Sequence, residues 1–322
     1  MKHEDDWDGS WSPDRYLTLD HAQVRYRRRS GRSQAGVPLV LVNGIGAAME
    51  MWADFLVGMD DREIIAFDLP GAGRSTAAPL PVGMSWFAGQ VAKILDALGV
   101  DVVDMLGFSF GGTVAQQFAR DHPHRLRRLV LASTTPGLPS LPGDPLALLI
   151  ALTPMRYLDR TLGAMLVPHM VGGRTYRDRR VLMHQLPLRQ EQPPTWWGYL
   201  TQLWAIGTYA GSLDLKSITA STLVLHGDDD RLCPVINARW MASTLPNARY
   251  RELHGAGHLL LLDEPAKAGR YVREFLDEHE DGERDTHRPQ ATGVSTRSRT
   301  GRAQRPTAAA DSPRSADSRR TA

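Results

Sequence analysis

The chain has 322 residues, 42% of them hydrophobic, which is enough for one large core or two smaller domains. Its formal charge is +2, but nine arginines and three aspartates between Arg284 and Ala322 give that end +6, so the remainder carries −4. One cysteine, Cys233, excludes an internal disulfide and fits a reducing compartment. The acidic start "MKHEDDWDGSWSPD" has no apolar signal stretch, and no window approaches the roughly 20 apolar residues of a membrane span, so a cytoplasmic protein is expected.

Residues 1–14 are expected to be flexible. "YLTLD" and "QVRYRRR" then form a leading hairpin. "VPLVLVN" (37–43) and "EIIAFD" (63–68) are short continuous apolar runs, the pattern of strands buried on both faces of a parallel sheet. Residues 84–98 carry helical spacing at Phe87, Val91, Ile94, Leu95 and Leu98. "VVDMLG" is a strand, "GGTVAQQFARDH" a helix closed by Pro123, and "LRRLVLAS" (126–133) a strand. After a gap come the strand "STLVLHG" (221–227), the helix "VINARWMASTL", the strand "ARYREL" (248–253) and the closing helix "EPAKAGRYVREFLDEH". Repeated strand–helix alternation predicts an α/β fold, a mostly parallel sheet flanked by helices.

The alternation stops between Ser133 and Thr222, where the chain is helical and turn-rich. This predicts a helical cap over 134–220, inserted into a core made of 15–133 and 221–279. Trp197, Leu200 and Trp204 share a helical face there, and Trp197 and Trp204 are expected to line a substrate pocket. The tail, 280–322, is rich in Arg, Ser, Thr, Ala and Pro and nearly free of large apolar residues. It cannot offset its chain entropy, is expected to be a disordered basic extension, and gives no reason to expect a nucleic-acid partner.

The stretch "DMLGFSFGGTVAQQFA" (104–119) carries the chemistry. A strand that turns abruptly into a helix lifts the residue at the bend into a cleft, and the strained turn requires neighbours without side chains. Gly107 and Gly111 flank Ser109 on both sides. The Gly-x-Ser-x-Gly pattern is weak alone; the preceding strand and following helix are the context it needs. A serine hydroxyl attacks only when a base takes its proton. Of eleven histidines, His258 lies in "HGAGHLLLLDEP", a glycine-rich loop after the last strand, where an imidazole reaches the C-terminal edge of the sheet. The acid lies in "LVLHGDDDRLCP": Asp230, four residues before Pro234, is favoured, with Asp229 the alternative and Asp228 a turn-shaping residue. Two backbone N–H groups are expected to hold an oxyanion, those of Phe110 and of Ile45 in "NGIGA".

"FDLPGAGRS" (67–75) lacks the lysine of a phosphate loop and the third glycine of a dinucleotide fingerprint, so it reads as a rim loop and no nucleotide is expected. No metal and no other cofactor are expected. Cys233 is alone in an apolar turn and is expected to be buried rather than reactive.

These motifs together resemble the α/β-hydrolase superfamily over roughly residues 16–278. "NGIG", "FDLPGAGRS", "GFSFGG", "GDDDRLCP" and "GAGH" appear in its order. Within it the chain is similar to the intracellular depolymerases of medium-chain poly(3-hydroxyalkanoates), through "PLVLVNGIGA", "IIAFDLPGAGRS", "GGTVAQQFARDHP", "LVLAST", "TPMRY", "TLVLHGDDD", "INAR" and "LPNA". Asn43-Gly44 stands where most of the superfamily has His-Gly. Phe110 stands where that depolymerase family usually has tryptophan, and the basic tail is not a family feature. The resemblance implies the α/β-hydrolase fold, catalytic roles for Ser109, Asp230 and His258, and a 3-hydroxyacyl ester as substrate, soluble or at the surface of a polyester granule. Related dehalogenases and epoxide hydrolases carry Asp at the nucleophile position, and polyester synthases carry Cys. The alternatives are a general carboxylesterase or lipase, a carbon–carbon bond hydrolase, and a non-catalytic binding protein of the same fold.

Overall fold

Alternate residues of the central strands enter different cores. Val40 and Val42 pack in one buried cluster with Ile65, Phe67, Met105, Leu129 and Leu131, while Leu39 and Leu41 pack in a second with Ile64, Ala66, Leu106 and Val130. A strand with apolar residues on both faces must be covered on both, which is why these runs look continuous in sequence. The computed structural model describes residues 11–19, 22–32 and 36–278. The tail expected to be disordered and residues 1–10 lie outside them.

The strands are β1 (Arg15–Leu19), β2 (Ala22–Arg29), β3 (Leu39–Val42), β4 (Ile64–Phe67), β5 (Val103–Phe108), β6 (Leu126–Ala132), β7 (Ser221–Gly227) and β8 (Ala248–Leu253). They form one sheet of order β1-β2-β4-β3-β5-β6-β7-β8. The β1–β2 hairpin adds antiparallel to β4, and every pair from β4 to β8 is parallel. The helices are α1 (Met84–Ala97), α2 (Phe110–Asp121), α3 (Pro145–Ala151), α4 (Met155–Leu158), α5 (Arg160–Val171), α6 (Gly173–Arg177), α7 (Arg179–Gln190), α8 (Trp196–Gly207), α9 (Val235–Thr244), α10 (Leu260–Asp263) and α11 (Pro265–Asp277). Helices α3 to α8 all fall between β6 and β7.

Residues 11–14 run beside β2. Ser12 N–H donates to Arg28 O, and Asp14 pairs with Arg25 at 2.8 Å and Arg27 at 2.5 Å. Arg25 is buried and also pairs with Glu50 and Asp68. A buried guanidinium needs such partners, and meeting that need fixes the approach of the chain to β1.

From β3 the chain passes to β4 on one side, and then returns to β5 on the other. The C-terminal ends of β3 and β5 therefore flank a crevice where the winding reverses, the usual place for ligands in an open α/β sheet. The "NGIGA" loop and Ser109 sit on its two sides.

Candidate active site

Ser109 follows β5 directly and caps α2 with φ 54° and ψ −119°, a conformation costly for a residue with a side chain. The flanking glycines make the bend possible through close approach. A Cβ on Gly111 would lie 2.0 Å from the Val42 carbonyl oxygen, and one on Gly107 2.5 Å from that of Gly111. The bend is held by Ser109 N–H donating to Ala132 O (3.0 Å) and by Thr134 Oγ1 donating to Ser109 O (2.7 Å).

His258 and Asp230 stand beside it, both buried. His258 Nε2 is 2.8 Å from Ser109 Oγ, and His258 Nδ1 is 2.9 Å from Asp230 Oδ2. The other carboxylate oxygen of Asp230 accepts from the N–H groups of Leu232 (2.9 Å) and Cys233 (2.8 Å). A second buried histidine, His226 on β7, brings Nε2 to 3.3 Å from Asp230 Oδ2 while contacting Cys233 O at 2.8 Å. Burial works to raise the Asp230 pKa, but the charge of His258 and the hydrogen bonds from His226 and His258 outweigh it and hold the carboxyl down at about 2. An ionised carboxylate only accepts, so Nδ1 of His258 carries the proton and Nε2 is left to accept from the Ser109 hydroxyl.

The neighbouring aspartates do other work. Asp229 accepts from Gly173 N–H (3.0 Å) and Arg177 (2.8 Å), and Asp228 accepts from Gly255 N–H (2.6 Å), so Asp229 is not the partner of His258. The His258 loop is fixed from two sides: His258 N–H donates to Val171 O at the end of α5 (2.7 Å), and Gly257 N–H to Asp263 at the end of α10 (3.1 Å). Asp263 also accepts from Thr175 and Gln185, and burial pushes its pKa up against these bonds. A carboxylate directly after four leucines in "HLLLLDEP" is a signal for such a buried anchor that sequence reasoning passed over.

The N–H groups of Ile45 and Phe110 find no acceptor among the described residues. Their neighbours are engaged: Gly44 N–H donates to Asn43 Oδ1 (2.8 Å), Gly46 N–H to Gln202 Oε1 (2.8 Å), and Ile45 O accepts from Tyr157 Oη (2.8 Å).

The cavity over Ser109 is bounded by Ala47, Met51, Phe108, Met170, Leu232 and Leu259, with Arg156, Tyr157 and Arg189 from the α4 and α7 segments. It is narrow, with about 300 Å³ free of atoms even counting the open mouth. Trp197 and Trp204 are not on it. They are 45% and 56% exposed on α8, and Trp197 Nε1 donates to Ala78 O (2.8 Å). The face of α8 turned inward carries Gly198, Tyr199 and Gln202 instead. Arg189, which sequence reasoning missed, had a signal: with Leu182, Gln185 and Leu186 it lies at the i, i+3, i+4, i+7 spacing of a buried stripe.

His254 and His258 have a His-x-x-x-His spacing, but the structure separates their roles. His254 is exposed and contacts Asp228 at 3.0 Å. Among the described residues two donor groups approach metal-binding proximity, Asp230–Cys233–His258 and Asp228–Glu252–His254. Asp230 and His258 of the first are already bonded to each other, His258 is bonded to Ser109 as well, and Cys233 is buried with its thiol pKa pushed well up by burial and by Asp230. No helix of the described residues is long and apolar enough to cross a membrane.

Residues 37–265 match the alpha/beta hydrolase fold family. The chain is 36% identical over 266 residues to a poly(3-hydroxyalkanoate) depolymerase of Ectopseudomonas oleovorans, covering 82% of this chain and 92% of that protein. It is 30% identical to a 2-hydroxy-6-oxo-2,4-heptadienoate hydrolase of Pseudomonas putida, over 75% of this chain and 90% of that protein. The crystal structure of an enol-lactonase from Burkholderia xenovorans LB400 superposes with a TM-score of 0.71 at 23% identity, covering 82% of this chain and all of that one, a likeness of fold. With its sheet order, the sharp strand–helix bend at Ser109 and this match over most of its length, the chain belongs to the alpha/beta hydrolase fold family.

Proposed function

We propose that this protein is a serine ester hydrolase that cleaves 3-hydroxyalkanoate ester bonds, in oligomers or at a polyester surface in the cytoplasm. His258 Nε2 takes the Ser109 proton as Oγ attacks the acyl carbonyl, and Asp230 holds the imidazole tautomer and stabilises the imidazolium. The N–H groups of Ile45 and Phe110 receive the oxyanion, each worth about 3–4 kcal/mol of barrier. The alcohol leaves with a proton from His258; water, deprotonated by His258, then hydrolyses the acyl-enzyme. Residues 134–220 act as a cap over this site, and the chemistry needs no cofactor.

The observation that carries this reading is the hydrogen-bonded line Ser109–His258–Asp230, with the serine on a strained bend beside two N–H groups lacking other acceptors. The substrate class rests on the 36% identical depolymerase. A carbon–carbon bond hydrolase is the second reading, favoured by the 30% identical heptadienoate hydrolase.

The first test is hydrolysis of p-nitrophenyl esters by wild type and Ser109→Ala, where a loss of at least about 10⁴-fold is expected; equal rates would return the protein to a binding role. Medium-chain 3-hydroxyalkanoate oligomers, simple esters and a 2-hydroxy-6-oxo-dienoate then separate the substrate classes. Turnover confined to short simple esters would remove the polyester assignment, and preference for the dienoate would favour the second reading.

A further inference from the structure

Two guanidinium groups border the same cavity as Ser109, and neither has a carboxylate partner among the described residues. Arg156, 2% exposed, donates to Thr153 O (2.6 Å) and Tyr199 Oη (2.7 Å). Arg189, 4% exposed, has still less: no described residue accepts a hydrogen bond from its guanidinium, and its buried Nε has no partner. What it has is the face of the Tyr157 ring, 5.2 Å from its Cζ, which it shares with Arg156 at 4.6 Å. Burial pushes the Arg189 pKa down, and the neighbouring positive charge of Arg156 adds to that.

Nothing in packing calls for this. Residues filling space beside Met51, Phe108, Met170 and Leu259 would do so better as leucine or methionine, because a buried cation without a counter-charge is costly. Buried arginines elsewhere among the described residues are met by acceptors: three carboxylates surround Arg25, Arg29 donates to Leu56 O and Met59 O, and Arg128 to Phe275 O and Glu278 O. The complement missing at Arg189 is an anion that arrives from outside, and a guanidinium fork matches a carboxylate's two oxygens.

We propose, on the hydrolase reading above, that the site selects esters that carry a free carboxylate, held by Arg189 with Arg156 behind it while Ser109 faces the ester carbonyl. In a 3-hydroxyacid oligomer the terminal carboxylate lies only a few bonds from the last ester carbonyl, so the enzyme cuts at the acid end of a chain. The ester C–O bond breaks, the departing hydroxy-acid oxygen takes a proton from His258, and the hydroxyl of water ends on the acyl carbon. The apolar wall takes the alkyl side chains, and the two cations set the register of the cut.

The test compares kcat/KM for a 3-hydroxyoctanoic acid dimer with its free carboxylate and for the same dimer capped as the primary amide. Wild type is expected to favour the free acid by about tenfold or more. The ratio should fall close to one in Arg189→Gln and be partly kept in Arg189→Lys. Equal kcat/KM for the two dimers in wild type overturns the proposal, and so does an Arg189→Gln enzyme that keeps the wild-type ratio while losing rate on both. If neither dimer is cleaved, the ester-hydrolase reading fails separately, and calorimetry with octanoate against octanol on the Ser109→Ala protein decides the anion site. Tighter binding of octanoate that is lost on adding Arg189→Gln supports it, and equal binding of the two overturns it.

Discussion

Asp230 ties the proposed chemistry to stability. Its carboxylate takes two backbone N–H bonds on one oxygen and faces two histidines on the other, and its pKa of about 2 lies below the ordinary 3.8. A carboxyl with a depressed folded-state pKa stabilises the fold above its unfolded value, and that contribution fades as pH falls through the folded value. For Asp230 the window is pH 4 down to pH 2, and the contribution is about 2 kcal/mol. Asp230→Asn should flatten that part of the pH–stability curve, measured as urea midpoints between pH 2 and 5; an unchanged slope would mean the carboxylate gains nothing from its partners. The same exchange should lower kcat by about 10⁴-fold, because an amide no longer enforces the proton on His258 Nδ1.

At the scale of one element, α8 shows how a more apolar face can end up outside. Its sequence, "WWGYLTQLWAIG", puts Trp197, Leu200 and Trp204 on one face and Tyr199, Thr201 and Gln202 towards the other, so hydropathy alone favours burying the tryptophans. Close approach decides: a Cβ on Gly198 would lie 2.3 Å from the Gly71 carbonyl oxygen, so only the glycine lets this face meet the rim loop. Gln202 then bridges that loop to the proposed oxyanion loop, donating to Pro70 O (2.9 Å) and accepting from Gly46 N–H (2.8 Å). Gly198→Ala should cost about 1–3 kcal/mol of stability, read from the urea midpoint, and lower kcat as Gly46 and Ile45 shift. Trp204→Ala, on the exposed face, should change stability by less than about 0.5 kcal/mol; the reverse ranking would put the tryptophan face inside. The contrast marks what sequence can and cannot tell. Strands β3 to β7 were legible because burial on both faces leaves one pattern, and Ser109, Asp230 and His258 because glycines and strand ends announce them. Arg156 and Tyr157 were not, since nothing local in "TPMRYLDR" says that this turn will fold back over a serine far along the chain.

The whole molecule has to reconcile the narrow cavity over Ser109 with a substrate that carries alkyl chains. The sheet side cannot yield: Ser109 is bonded to β6, and Gly111 sits against the end of β3. The opposite wall comes from α4, α5 and α7, joined by turns and held to the loops beyond the strand ends through Val171 O and Tyr157 Oη, and to α10 through the Thr175–Asp263 bond. Such segments open at lower free energy than a central sheet, so access to Ser109 should be gained by displacing them. Hydrogen exchange tests this directly. Amides of residues 155–190 should exchange faster than those of β5 and β7 in the free protein. They should change protection when an alkyl fluorophosphonate is attached to Ser109, while the strands do not. Ser109→Ala treated with the same reagent should show neither labelling nor a change in exchange. Full labelling with unaltered protection across 155–190 would place the route to Ser109 elsewhere.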